Sequence, residues 1–157
     1  MLTLQSPAFH DHGPLPARYS CDGSEVSPPL RWTGLPAGTI SLALVMEDED
    51  AGDTTLARPI GVHWVAFNLP PELEYLVEGA DVAGLSDVAG VGLNDRQGLG
   101  YLPPCPGLGR HSFVFRLFAL DDVLRGLHTP RRFHLDAAMN GRVLAMAELT
   151  AIFERSD

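Results

Sequence analysis

The sequence predicts a mostly-β protein whose core is formed by a few short apolar strands. Its 157 residues include 16 glycines and 13 prolines. These are spread along the chain, which indicates many turns between short elements and argues against a helical bundle. Hydrophobic residues make up 45% and charged residues 20%, as in ordinary globular proteins. A chain of this length is expected to form one domain over residues 1–157.

Three apolar runs are the expected core strands. They span residues 39–46 (TISLALVM), 60–69 (IGVHWVAFNL) and 113–120 (FVFRLFAL). β-branched and aromatic residues, which favour strands, are frequent in them. Residues 1–38 contain the turn signals GPLP, CDG, SPP and LPAG, so this part is expected to be rich in loops.

The remaining segments are less regular. Residues 72–100 form a long, glycine-rich connection, which predicts either a functional loop or short irregular strands. Residues 121–127 could form one or two helical turns. Apolar residues recur near a period of 3.6 over residues 135–146, which predicts an amphipathic helix. The tail, residues 147–155 (AELTAIFER), either extends that helix or forms a last strand, and periodicity alone does not decide between them.

The charge balance argues against two classes of partner. The formal net charge is −9, from 20 acidic residues against 11 basic ones, all of them arginine. A nucleic-acid-binding protein normally presents a basic face, so no nucleic-acid partner is expected. Anionic membrane surfaces are disfavoured for the same reason. No apolar stretch reaches the ~18–20 residues that a membrane-spanning helix needs.

Two observations favour a cytoplasmic location. The N-terminus, MLTLQSPAFHDHG, has neither a basic segment nor a long apolar one, so no secretory signal is expected. Cys21 and Cys105 are the two cysteines, and they are expected to be free thiols in a reducing compartment. The alternative is a bridge between them, which would favour an oxidising location.

The candidate functional residues lie where apolar runs begin or end. Four acidic residues, 47–50 (EDED), directly follow the first run, His63 lies inside the second, and His111 precedes the third. Each has a structural explanation: four acids in a row are often a solvated turn, and a histidine in an apolar strand is often a core residue. However, alternate side chains of residues 47–50 could point inward because they continue a strand.

Taken together, the motifs resemble the phosphatidylethanolamine-binding protein family, in its bacterial, Raf-kinase-inhibitor-like (YbhB/YbcL-type) branch. The matching segments, in chain order, are YSCDG (19–23), SPPLRW (27–32), DEDA (48–51), HWV (63–65), YLPPCPGLGRH (101–111) and the ending GRVLA to AEL (141–149). The resemblance implies a Greek-key β-sandwich with a few short peripheral helices, one of them near the C-terminus. It also implies a small pocket for phosphate-like anions, with no cofactor. Carried over by position, the pocket residues are Asp48, Asp50, His63, Pro104, Gly109 and His111.

This resemblance predicts a non-catalytic binding protein for a small phosphate-like or phosphorylated ligand, with regulation or inhibition of a partner kinase or protease as a further role. Two enzymatic alternatives use the same residues. In one, Asp48, Asp50, His63 and His111 bind a divalent metal; in the other, Cys105 is a hydrolase nucleophile activated by His111. Family resemblance also suggests a homodimer, whose interface could include Tyr75, Leu76 and Leu102; the alternative is that these residues cap the protein's own core.

Three departures from the family pattern concern the pocket. Glu49 replaces a proline and adds a charge, Pro103 and Gly107 alter the proline-rich loop, and Phe113 replaces an aromatic residue that is often tyrosine. Because the motifs place no arginine in the pocket, only modest affinity for phosphate is expected. If both histidines donate to the ligand, binding should strengthen as pH falls through about 6–7.

Overall fold

The computed structural model describes residues 1–51, 60–80, 89–107 and 109–155. Nine strands, one 3-10 turn and one α-helix are assigned in these ranges. In chain order they are β1 (Thr3–Gln5), β2 (Gly13–Pro14), the 3-10 turn (Ala17–Tyr19), β3 (Leu30–Thr33), β4 (Ser41–Asp48), β5 (Val62–Leu69), β6 (Tyr75–Leu76), β7 (Gly90–Val91), β8 (Gly109–Leu120), α1 (Arg132–Met139) and β9 (Val143–Arg155). The mostly-β prediction is confirmed.

The strands form two sheets. The smaller has the order β1-β3-β6 and the larger has the order β2-β9-β8-β4-β5-β7. Within the larger sheet, β5 lies between β4 and β7. The later strand β8 pairs with the side of β4 that β5 leaves free. This long return beside the first strand is the Greek-key arrangement. Among the strand pairs of the described residues, β2–β9 is the one parallel pair.

The main core contains residues from both sheets. Leu4, Leu30 and Trp32 of the smaller sheet belong to the same buried cluster as Met46 and Phe115 of the larger. Strand β4 is almost entirely buried because a second, smaller cluster covers its other face; this cluster contains Val45 of β4 together with Leu135 and Met139 of α1. A strand covered on both faces needs a continuous apolar run, which is why the sequence signal for β4 is so strong.

The prediction of a helix over residues 135–146 is wrong in its second half. Helix α1 ends at Met139, and the chain turns through Gly141, whose φ of +79° is readily adopted only by glycine. Leu135 and Met139 are buried, whereas Met146 lies in β9 and is 45% exposed. Of the two alternatives for the tail, the last strand is confirmed.

The helical turns considered for residues 121–127 are not formed. Instead, the side chain of Asn68 binds both backbone groups of Leu124: its Nδ2 donates to the Leu124 carbonyl, and its Oδ1 accepts from the Leu124 N–H, each at 2.8 Å. These two hydrogen bonds satisfy backbone groups that a helix would otherwise pair.

The long connection, residues 72–100, contains short strands, which is one of the two alternatives predicted for it. Its described parts include β6, β7 and an isolated bridge between Leu93 and Leu99. The fragment of this connection that follows β7 passes the beginning of β5, where it lines a cavity.

Candidate functional site

The larger sheet has a small cavity of about 150 Å³ at one end of its central strands. It lies where β4 ends and where the antiparallel neighbours β5 and β8 begin. A cavity of this size suits a phosphate-sized group rather than a drug-sized ligand. The lining residues are Cys21, Glu25, Asp48, Ala51, Ile60, His63, Arg96, Leu102, Pro103, Cys105, Pro106, His111 and Phe113.

Asp48 and His111 form a buried pair at the base of this cavity. His111 Nδ1 donates to Asp48 Oδ2 at 2.8 Å, and the side chains are only 2% and 5% exposed, respectively. The other carboxylate oxygen of Asp48 accepts the N–H of Asp50, also at 2.8 Å. This arrangement fixes the imidazole so that its Nε2 is the nitrogen left for a further partner.

His63 is held in a similar way. Its Nδ1 donates to the Leu102 carbonyl at 2.8 Å, and its ring lies edge-on to Phe113, with 5.1 Å between ring centroids. Burial lowers the pKa of His63 below the ordinary value of 6.5, while the Leu102 carbonyl and the Asp48 charge act in the opposite direction. His63 is therefore neutral at pH 7. Protonation of His63, and the stronger anion binding expected from it, should therefore occur at a lower pH than the range of about 6–7 predicted from the sequence.

The lowered pKa of His63 predicts that acid destabilises the protein. Between the ordinary pKa of 6.5 and the lower folded-state pKa, the unfolded chain binds a proton that the folded protein does not, so the free energy of unfolding falls as pH falls through this window. We expect urea unfolding to show lower stability at pH 5 than at pH 7.5. The His63→Gln variant should have a smaller difference between the two pH values; an equal difference would contradict this assignment.

The expectation of two free thiols is wrong, because Cys21 and Cys105 form a disulfide. Two contacts bring their loops together: the Cys21 N–H donates to the Pro104 carbonyl at 3.1 Å, and the Tyr101 hydroxyl donates to the Tyr19 carbonyl at 2.7 Å. The Cα atoms of the cysteines are 5.3 Å apart although 84 positions separate them in sequence. The disulfide forms part of the cavity wall.

Of the six residues carried over from the resemblance, Asp48, His63 and His111 line the cavity. The other three do not line it but support its walls. Asp50 Oδ2 accepts the Ser112 N–H at 2.8 Å, which fixes the start of β8. The Pro104 carbonyl binds the loop of Cys21, and Gly109, at φ +108°, begins the pairing of β8 with Arg155.

The motifs missed two charged residues of the lining, Glu25 and Arg96. The expectation of a pocket without arginine is therefore wrong. Arg96 lies on the turn that begins with Asn94-Asp95, and the sequence signals such a turn but not its position beside His63. Of the departures from the family pattern, Phe113 and Pro103 do line the cavity. Glu49 does not, since its carboxylate binds Arg116 instead.

The two enzymatic alternatives find no support in the site. The sulfur of Cys105 is bonded to Cys21, so the hypothesis that it is a nucleophile is wrong. Within residues 1–51, 60–80, 89–107 and 109–155, no group of three or more histidine, cysteine or acidic side chains is placed to hold a metal ion. Among the helices described, none is both long and apolar enough to cross a membrane.

Comparison with known proteins gives matches over nearly the whole chain. The family model "Phosphatidylethanolamine-binding protein" matches residues 5–154. A UPF0098 protein of Methanothermobacter thermautotrophicus is 42% identical over 155 residues, covering 98% of this chain and 99% of its own length. A UPF0098 protein of Chlamydia trachomatis is 36% identical over 154 residues, with 98% and 99% coverage.

Two solved structures have the same fold. The crystal structure of a phosphatidylethanolamine-binding protein homologue from Chlamydia trachomatis matches with a TM-score of 0.89 at 36% identity, covering 99% of this chain and 98% of the other. The structure of Escherichia coli YbcL, described as a member of the mammalian PEBP family, matches with a TM-score of 0.85 at 25% identity, covering 99% of each chain. The family model, the relatives and the fold agree: this chain belongs to the phosphatidylethanolamine-binding protein family.

Proposed function

We propose that this protein is a non-catalytic binding protein whose cavity takes a small phosphate-like anionic group. The observation that carries the proposal is the buried cluster of Asp48, His63 and His111 at the base of a cavity of about 150 Å³. Family membership supports a binding protein at the coarser level. The anion is our own inference, from the family resemblance together with the size of the cavity and its polar lining.

The cluster suits binding rather than nucleophilic catalysis. Both histidines use Nδ1 within the protein, one toward a carboxylate and one toward a carbonyl, so each ring is fixed in position before a ligand arrives. Such preorganisation reduces the entropy cost of binding. The two cysteines that line the cavity, Cys21 and Cys105, are joined in a disulfide, and no serine or threonine is among the described lining residues.

The proposal predicts that inorganic phosphate binds and that His111→Gln weakens binding at least about tenfold, since hydrogen bonds to charged groups contribute roughly 1.5–3 kcal/mol. Glutamine can still donate an amide N–H to Asp48, so the buried carboxylate keeps a partner while the imidazole is lost. Isothermal calorimetry at pH 6 measures the affinity, after equal melting temperatures have shown that the variant is folded. A folded His111→Gln protein with unchanged affinity would contradict the pocket.

A matched pair of variants tests the location of the bound phosphate. Ala51 lines the cavity, so Ala51→Trp should fill it and abolish binding. Ala37 is exposed in the turn that precedes β4, at the other end of that strand from Asp48. Ala37→Trp should therefore leave binding unchanged, and equal loss in both variants would place the phosphate elsewhere.

Three further expectations remain predictions. A kinase or protease that this protein regulates is a proposed partner, as is a second copy of the chain. Of the residues suggested for a dimer interface, Leu76 is buried in the core and Leu102 lines the cavity, which leaves Tyr75, 57% exposed. The disulfide removes the argument from free thiols for a cytoplasmic location and favours the alternative, an oxidising location.

A further inference from the structure

The cavity has an uneven distribution of charge. Two carboxylates, Asp48 and Glu25, line it, and the protein as a whole carries a formal charge of −9. Both features repel an anion. His63 is neutral at pH 7 because burial lowers its pKa, and His111 is hydrogen-bonded to the carboxylate of Asp48. Among the described lining residues, Arg96 is the one permanent cation.

Arg96 lies on a turn that is fixed to the beginning of β5. Asn94 is buried, and its Oδ1 accepts the N–H groups of Arg96 at 2.9 Å and Gly98 at 3.2 Å. These bonds define a tight turn in which the asparagine side chain replaces a backbone acceptor. The backbone of Arg96 is therefore held in place although its side chain is exposed.

Asp95, which follows Asn94, connects this turn by hydrogen bonds to the beginning of β5, beside the cavity. Asp95 Oδ2 accepts the N–H of Gly61 at 2.9 Å and that of Val62 at 2.8 Å, and the Asp95 N–H donates to the Val62 carbonyl at 2.9 Å. Val62 directly precedes His63. Three hydrogen bonds thus fix the position of Arg96 relative to His63, even though 33 residues separate them along the chain.

We propose that Arg96 is a specificity-determining residue that makes this cavity select oxyanions. The inference rests on the proposed function and adds to it the residue that supplies the attractive charge at neutral pH. A guanidinium presents several N–H donors in a planar fork that matches phosphate oxygens. At the exposed mouth of the cavity it offsets the field of the carboxylates, and bound phosphate contacts it there while Asp48, His63 and His111 enclose the deeper part.

The test measures inorganic phosphate binding by calorimetry at pH 7.5 and low ionic strength. We expect Arg96→Gln to weaken binding about tenfold, the lower end of the range for a hydrogen bond to a charged group, and Arg96→Lys to restore part of the loss because it keeps the charge. The difference between wild type and Arg96→Gln should shrink in 0.5 M sodium chloride, where exposed charges are screened. Unchanged affinity in Arg96→Gln, or equal loss in Arg96→Lys, would overturn the inference.

A control separates a local contact from the effect of net charge. Arg125→Gln removes the same charge from an exposed site beyond the far end of β8, roughly 30 Å of strand from His111. It should bind phosphate as the wild type does; a loss equal to that of Arg96→Gln would show that net charge alone is responsible. Wild-type protein that binds no phosphate would overturn the proposed function itself, whereas binding that is insensitive to Arg96 overturns only this inference.

Discussion

Replacing Cys21 and Cys105 together by serine should lower the free energy of unfolding by up to about 4 kcal/mol. The disulfide closes a loop across 84 positions of sequence, and a cross-link over so long a loop strongly restricts the unfolded chain. Because the bridge also forms part of the cavity wall, the variant should bind phosphate more weakly. Urea unfolding and calorimetry measure the two effects.

Reduction of the wild-type protein is the control for this prediction. Dithiothreitol should reproduce the loss of stability in the wild type and have no effect on the double serine variant. Thiol titration of denatured, unreduced protein should find no reactive group, and two after reduction. Two reactive thiols before reduction, or a urea midpoint that reductant leaves unchanged, would show that the bridge is absent or without energetic consequence.

The second large effect is expected at the buried Asp48–His111 pair. His111→Ala removes the donor to Asp48 Oδ2. The Asp48 side chain, which is only 5% exposed, then lacks its side-chain partner. Breaking a buried pair from one side costs roughly 3 kcal/mol or more. We therefore expect His111→Ala to cause a measurable loss of stability.

A double-mutant cycle separates this effect from simple loss of packing. Combining Asp48→Asn with His111→Ala removes the unpaired carboxylate charge that His111→Ala alone leaves buried. The double variant should therefore be more stable, by about 1–2 kcal/mol, than the sum of the two single changes predicts. Arg125→Ala, which breaks the exposed ion pair with Asp122, should cost less than about 1 kcal/mol in the same urea assay. Strict additivity of Asp48→Asn and His111→Ala would show that the pair is not coupled.

The site could be predicted where sequence motifs coincide with strand ends. Asp48 is the last residue of β4, and His111 lies near the beginning of β8. Antiparallel pairing of these strands therefore brings the two residues to the same end of the sheet. The alternation of side chains along β4 directs Asp48 inward, while Glu47 and Glu49 bind Arg116 on the other face. The motifs therefore identified the deepest residues of the cavity, whose positions follow from local strand geometry.

Residues at the mouth of the cavity could not be predicted in the same way. Arg96 reaches it because Asp95 binds backbone groups of Gly61 and Val62, and the cysteines meet because two loops bind each other. These contacts join segments that are distant in sequence through loop backbone groups, which leave no periodic signal. A hydrophobic pattern records which face of an element is buried, not which loop lies beside it.

The sequence alone determined the mostly-β class and the core strands β4, β5 and β8, because these depend on local apolar runs and turn residues. Only the tertiary structure decided the end of α1 at Met139, the Cys21–Cys105 disulfide and the presence of Arg96 in the cavity. The apolar period through residues 135–146 is shared by a helix and by the strand that follows it, and a glycine with positive φ separates them. Such outcomes depend on contacts between distant segments, whose free energy no local pattern contains.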